Sequence, residues 1–174
     1  DLATVLQWLP AVSEITVAEP IPDPGIMAEL VQAYPHIDFT FSFPIFDTVA
    51  GNHDTFLDLS GTQMTDTAEL EALLPLFTDL EKVDMCGCGI SNEDMWDLNQ
   101  GHPDTLFVWE VQLGKHLIRT DITYFMPYQY RYQVTDADAD TLKYFTELIC
   151  IDLGHMDISR TDYLNVRDNT ERFQ

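Results

Sequence analysis

The chain matches itself. Shifted by 68 positions, Leu80 falls on Val12 (80 − 12 = 68), Val83 on Ile15, Met85 on Val17 and Met95 on Met27. With no gap, Leu98 then falls on Leu30, Gln100 on Gln32, Pro103 on Pro35 and Phe107 on Phe39. The same shift carries Phe77-Thr78-Asp79-Leu80 onto Phe145-Thr146-Glu147-Leu148, Asp84 onto Asp152, and Ile90-Ser91 onto Ile158-Ser159. So many ungapped matches at one offset divide the chain into units 12–79 and 80–147 and a partial unit 148–174, within a single domain of residues 1–174. A unit this small cannot bury its own apolar face and must stack on its neighbours.

The centre of the pattern is Leu80 to Ile90, which reads L-x-x-L-x-L-x-x-C-x-L with Val83, Met85 and Ile90 as apolar replacements. Alternate residues of a short strand, Val83 and Met85, point inward. The chain then turns, Cys88 fills a slot beneath the turn, and Ile90 closes the layer. Leu57-Asp-Leu59-Ser-Gly-Thr62 repeats the strand with Thr62 in place of Cys88, and Leu148 to Ile158 repeats it again. Between these strands the spacing predicts helices over residues 1–11, 25–34, 66–74, 91–101 and 136–145. Phe39-Thr-Phe41-Ser-Phe43 and Phe107-Val-Trp109-Glu-Val111 alternate with period two and read as strands. Gly114-Lys115 suits a two-residue hairpin turn that sends residues 116–120 back antiparallel.

Eight basic against thirty acidic residues give a net charge of −22, which repels nucleic acid phosphates and anionic lipid and excludes both as direct partners. No apolar run approaches the roughly 20 residues needed to span a membrane. Three cysteines, two of them the close pair Cys86 and Cys88, do not make a disulfide framework. A zinc site from these with Cys150 and His155 lacks tetrahedral ligand spacing.

The motifs at 57–62, 80–90 and 148–158 resemble those of the leucine-rich repeat family over nearly the whole chain. Phe107-Val-Trp109 followed by Arg119-Thr120-Asp121 resembles, more narrowly, the irregular acidic repeat proteins of gut Firmicutes. That resemblance implies an α/β leucine-rich repeat solenoid, a right-handed α/β superhelix, in a secreted or cell-surface bacterial protein. One spacing departs from it. Phe39 to Leu57 is 18 residues (57 − 39), as is Phe107 to Phe125 (125 − 107), against roughly 20–29 per repeat turn, so an interposed β-hairpin is expected.

Proteins of this family bind through a concave strand face, which the register assigns to Glu14, Asp58, Asp84, Tyr124, Tyr128 and Asp152. The bland reading of the recurring Asp is a solvated acidic ladder. The functional one is an anionic strip with the tyrosines as aromatic anchors. Asp136, Asp138 and Asp140 with Glu147 are reminiscent of a calcium loop, but Thr141 stands where the turn needs Gly, so the more economical reading over Ca2+ is acidic residues at a helix N-terminus and no cofactor is expected. The five histidines are scattered without a nucleophile at a motif spacing, His53-Asp54 reads as a surface turn, and no enzyme is expected. The leading expectation is a non-enzymatic extracellular recognition module for a protein or glycan. The alternative is a structural spacer of a larger bacterial surface protein with no ligand of its own.

Overall fold

In a computed structural model the described residues are 2–6, 8–18, 23–113, 116–127, 135 and 138–152. The chain runs α1 (Leu2–Leu6), β1 (Glu14–Thr16), α2 (Pro24–Ala33), β2 (Asp38–Thr40), β3 (Ser42–Ile45), β4 (Thr48–Gly51) and β5 (Phe56–Asp58). It continues through α3 (Ala68–Leu73), a 3-10 turn (Leu74–Leu76), β6 (Lys82–Asp84), α4 (Asn92–Gly101) and β7 (Leu106–Val108). The last elements are β8 (Glu110–Leu113), β9 (His116–Arg119), β10 (Tyr124–Phe125), α5 (Ala139–Leu142) and β11 (Cys150–Ile151).

The elements recur at the offset of the sequence match. β1 to β6 is 68 residues (82 − 14), as are α2 to α4 (92 − 24), β2 to β7 (106 − 38), β3 to β8 (110 − 42) and β4 to β9 (116 − 48). Local chemistry places them. Asp23 accepts from Gly25 N at 2.9 Å and caps α2, with Pro24 in the first turn. Ser91 accepts from Asp94 N at 3.1 Å and caps α4. Among the described residues, the helix expected over 136–145 is the single turn Ala139–Leu142, and the one expected over 1–11 is Leu2–Leu6.

The expected solenoid is not what forms. The strands make five separate small sheets among the described residues: β1–β2, β5–β6–β7 and β10–β11, all parallel, and the antiparallel hairpins β3–β4 and β8–β9. There is no continuous sheet and therefore no regular superhelix with one concave face; the architecture is mixed α/β. The physical cause lies at the outer edges of β2 and β7. Asp38 N and Thr40 O bond toward β1, so Phe39 and Phe41 turn their backbone groups the other way. There Asn52 Nδ2 donates to Phe39 O at 2.7 Å and its Oδ1 accepts from Phe41 N at 2.9 Å. On β7 and just beyond, Asn99 Oδ1 accepts from Phe107 N and Thr120 Oγ1 from Trp109 N, both at 3.1 Å. Side chains satisfy the edge groups that a further strand would otherwise take, and the hairpins fill the space.

One apolar cluster runs through these sheets from Leu6 to Leu148. Matched positions fill it: Met27 and Met95, Phe39 and Phe107, Leu57 and Phe125 are all buried. Cys88 is buried as its motif position predicts, with its thiol donating to Leu59 O at 3.1 Å. The turn before it runs through Gly87 at φ 75°, a backbone state that glycine adopts without Cβ strain.

Candidate functional site

β5 and β6 lie side by side with Phe56 opposite Lys82, Leu57 opposite Val83, and Asp58 opposite Asp84. Leu57 and Val83 enter the core, so Phe56, Lys82, Asp58 and Asp84 share the other face. Each Asp closes a turn behind its strand: Asp58 Oδ1 accepts from Ser60 N and Asp84 Oδ1 from Cys86 N, both at 3.0 Å. Two predicted residues are thus brought together here, but their states differ. Asp58 is exposed, and the bonds it accepts from the Ser60 side chain and backbone lower its pKa.

Asp84 belongs to a four-residue charge network. Arg119 donates through Nη1 to Asp84 Oδ2 at 2.7 Å, and through Nε and Nη2 to both oxygens of Asp121 at 3.0 and 2.9 Å. Lys82 Nζ reaches Asp121 Oδ2 at 2.7 Å. Two cations and two anions therefore neutralise one another, and the fork geometry makes the Arg119–Asp121 bond bidentate. Arg119 above all, then Lys82, holds the Asp121 carboxyl down at about 2. Burial works to raise Asp84, but hydrogen bonds from Cys86 N and Arg119 outweigh it and the net direction is down. Burial, then the neighbouring Asp84, pushes the Cys86 thiol up to about 12, so it is not a nucleophile at neutral pH.

The other predicted residues lie elsewhere. Glu14 is exposed on β1, opposite Asp38. Tyr124 stands on β10 opposite Cys150, half exposed, and Asp152, just past β11, donates through its N to Phe125 O at 3.0 Å. Tyr128 lies outside the described residues. The set is thus spread over three sheets.

His53 is not paired with Asp54, whose carboxylate accepts from Gly51 N at 2.7 Å. It bridges Asp79, 2.7 Å from Nδ1, and Asp38, 3.3 Å from Nε2. Thr78 Oγ1 joins at 2.9 Å from Nδ1. The Asp79 hydrogen bond first, then the Asp38 and Asp79 charges, raise the imidazole pKa against a desolvation that lowers it. Asp138, from the candidate calcium segment, accepts from Thr135 N at 2.8 Å, while Asp136 lies outside the described residues. Among the described residues no group of three or more His, Cys, Asp or Glu is placed to hold a metal ion. A surface groove of about 430 Å³ opens between residues 99–106 and 146–147, with Glu81 at its side; Glu147 of the candidate calcium segment lines it, and none of the six residues assigned to the binding face does.

Sequence reasoning passed over Phe56, Arg119 and Asp121 as site residues. Phe56 had a signal, because it is the 68-residue match of Tyr124 (124 − 56 = 68). Arg119 had none, because its counterpart is Gly51 (119 − 51 = 68).

The geometry defines a mixed α/β protein with charged, aromatic-bearing strand faces. No protein-family model, no curated protein and no solved structure matches the chain. No helix among the described residues is long and apolar enough to cross a membrane.

Proposed function

We propose that the chain is a non-enzymatic recognition module, acting outside the cell on a protein or glycan ligand that it grips with the outward faces of its parallel strands. The carrying observation is the matched pair Phe56 and Tyr124. Both are half-exposed aromatics, and both stand at one position of the repeat, the first residue of a short parallel strand. Aromatic rings held on rigid strands lose little entropy on binding and are common interface anchors. Asp58 beside Phe56 and the net charge of −22 favour a neutral or basic ligand surface. The likeness of residues 107–109 and 119–121 to irregular acidic repeat proteins of the cell surface supports the location.

The test is a screen of the purified chain against extracellular proteins and surface glycans, with Phe56→Ala/Tyr124→Ala run in parallel. A saturable ligand should lose roughly 30-fold in affinity or more in the double variant. Binding unchanged by that variant would remove the strand faces from the account. The spacer reading has its own support in the Arg119 network, which neutralises Asp84 within the molecule. A folded, monodisperse chain that binds nothing in the screen would favour it.

A further inference from the structure

One turn is built twice, 26 residues apart (87 − 61 = 26). After β5, Thr62 N donates to Leu59 O and Ser60 N to Asp58 Oδ1, both at 3.0 Å. After β6, Cys88 N donates to Met85 O at 3.3 Å and Cys86 N to Asp84 Oδ1 at 3.0 Å. Gly61 at φ 77° and Gly87 at φ 75° hold the same place in it. The second turn covers the first. Gly61 N bonds Cys86 O at 2.8 Å and Met64 N bonds Cys88 O at 3.0 Å, so the parallel ladder runs on past the strands.

The second turn has no such cover. Gly87 N and Ile90 N stand where Gly61 N and Met64 N stand (90 − 64 = 26), and neither makes a hydrogen bond among the described residues. The cause is local. The ladder from β6 to β7 ends with Met85 N on Val108 O at 2.8 Å. At the next residue Thr120 takes both backbone groups: Trp109 N donates to its Oγ1 at 3.1 Å, and Trp109 O accepts from its N at 2.9 Å. The chain therefore departs into hairpin β8–β9. Between the turn and the hairpin lies a pocket of about 200 Å³, lined by Met85, Gly87, Ile90, Trp109, Glu110 and Leu117 among others. Met85 and Trp109 are buried, whereas Leu117 is 60% exposed and leaves an apolar wall open to solvent.

We infer that this pocket binds an extended peptide segment of a partner protein, which sets two backbone carbonyls on Gly87 N and Ile90 N and one apolar side chain against Met85, Trp109 and Leu117. The first turn supplies the form of the occupant, because residues 85–88 cover it in this way with the carbonyls of Cys86 and Cys88. Main-chain bonds at an open edge, with a pocket for a side chain, are how extended peptides dock. The space is smaller than the roughly 300 Å³ at which small-molecule pockets begin, so it suits one side chain rather than a larger ligand. Glu110 in the lining and the net charge of −22 select a segment with lysine or arginine beside the apolar residue and disfavour a carboxylate.

The probe is a peptide of residues 84–90, capped at both ends, with Asp84→Lys, Cys86→Ser and Cys88→Ser; it keeps Met85 and the two template carbonyls. Titrated into the full chain and followed by amide NMR, it should move the Gly87 and Ile90 amide protons downfield to saturation. Leu117→Asp should abolish the response, with circular dichroism unchanged because the side chain is exposed. Glu110→Lys should weaken binding roughly tenfold. No shift of the two amides at millimolar peptide, an equal response to a scrambled peptide, shifts confined to the Phe56 and Tyr124 faces, or binding that survives Leu117→Asp would overturn the inference. Slow exchange at Gly87 N and Ile90 N in the free chain would also overturn it, because the chain itself would then fill the pocket. Movement of the same amides on concentrating the chain without peptide would do so by seating a second copy there.

Discussion

Residues 12–79 and 80–147 carry strands and helices in one order at one offset and fill matched positions with different chemistry. Asn52 and Thr120 are equivalent (120 − 52 = 68), both are buried, and both satisfy a backbone N–H at the end of a strand. One residue later the units diverge. His53 bridges Asp38 and Asp79 in the first unit, whereas Asp121 binds Lys82 and Arg119 in the second (121 − 53 = 68). The frame fixes where a tie between elements is needed and leaves open whether a titrating imidazole or permanent charges make it. The units also differ in cover. β6 has a strand on both sides, while β1 has one on a single side among the described residues.

The largest expected effect breaks the comparison at the strand centre. Val83 is fully buried and its equivalent Ile15 is half-buried (83 − 15 = 68). Val83→Asp places an unpaired carboxyl in the core at a cost of several kcal/mol, so its circular dichroism should be that of an unfolded chain. Ile15→Asp should remain folded with a lower urea midpoint. Next come the buried polar residues. Asn52→Ala orphans both Phe41 N and Phe39 O, whereas Thr120→Ala orphans Trp109 N. At about 1–3 kcal/mol per unsatisfied group, urea unfolding should rank Asn52→Ala as the more damaging.

The charge ties are smaller and have opposite pH signatures. Arg119→Ala should cost on the order of 1 kcal/mol, because the guanidinium is partly exposed and solvent screens it. Asp121 is depressed to about 2, so its contribution is full above its unfolded pKa and is lost as pH falls through the folded one. From about pH 5 to 9 the difference between wild type and Arg119→Ala should stay level. His53 behaves the other way. Its pKa is raised by Asp79 and Asp38, so its contribution is full below about 6.5 and fades as pH rises through the folded value. The smallest effect expected is therefore a stability difference between wild type and His53→Gln that is present at pH 6 and shrinks by pH 9. A difference rising with pH would contradict the bridge. For ligand binding, Asp58→Lys is a cleaner charge change than one at Asp84, since Asp84 also holds Arg119.

Much of the frame was legible because helix and strand spacings survive an ungapped shift, and Ile15, Phe39, Val83 and Phe107 announce themselves as inward residues. The step of 18 residues from Phe39 to Leu57 correctly signalled a hairpin, and both units carry one. The continuous superhelix did not follow, because Asn52, Asn99 and Thr120 seal strand edges and nothing in their spacing says so. The acidic pair Asp58 and Asp84 was readable as outward neighbours. The partner of Asp84 was not, because Arg119 lies 35 residues on (119 − 84) in a hairpin whose counterpart position is glycine.

Native-state amide hydrogen exchange tests the shared frame most directly. Asp38 N bonds Ser13 O and Val17 N bonds Thr40 O in the first unit; Leu106 N bonds Glu81 O and Met85 N bonds Val108 O in the second. The account predicts protection at all four amides, greater at Leu106 and Met85, where β6 is flanked on both sides. Fast exchange at Met85 and Leu106, or stronger protection at Asp38 and Val17, would contradict it.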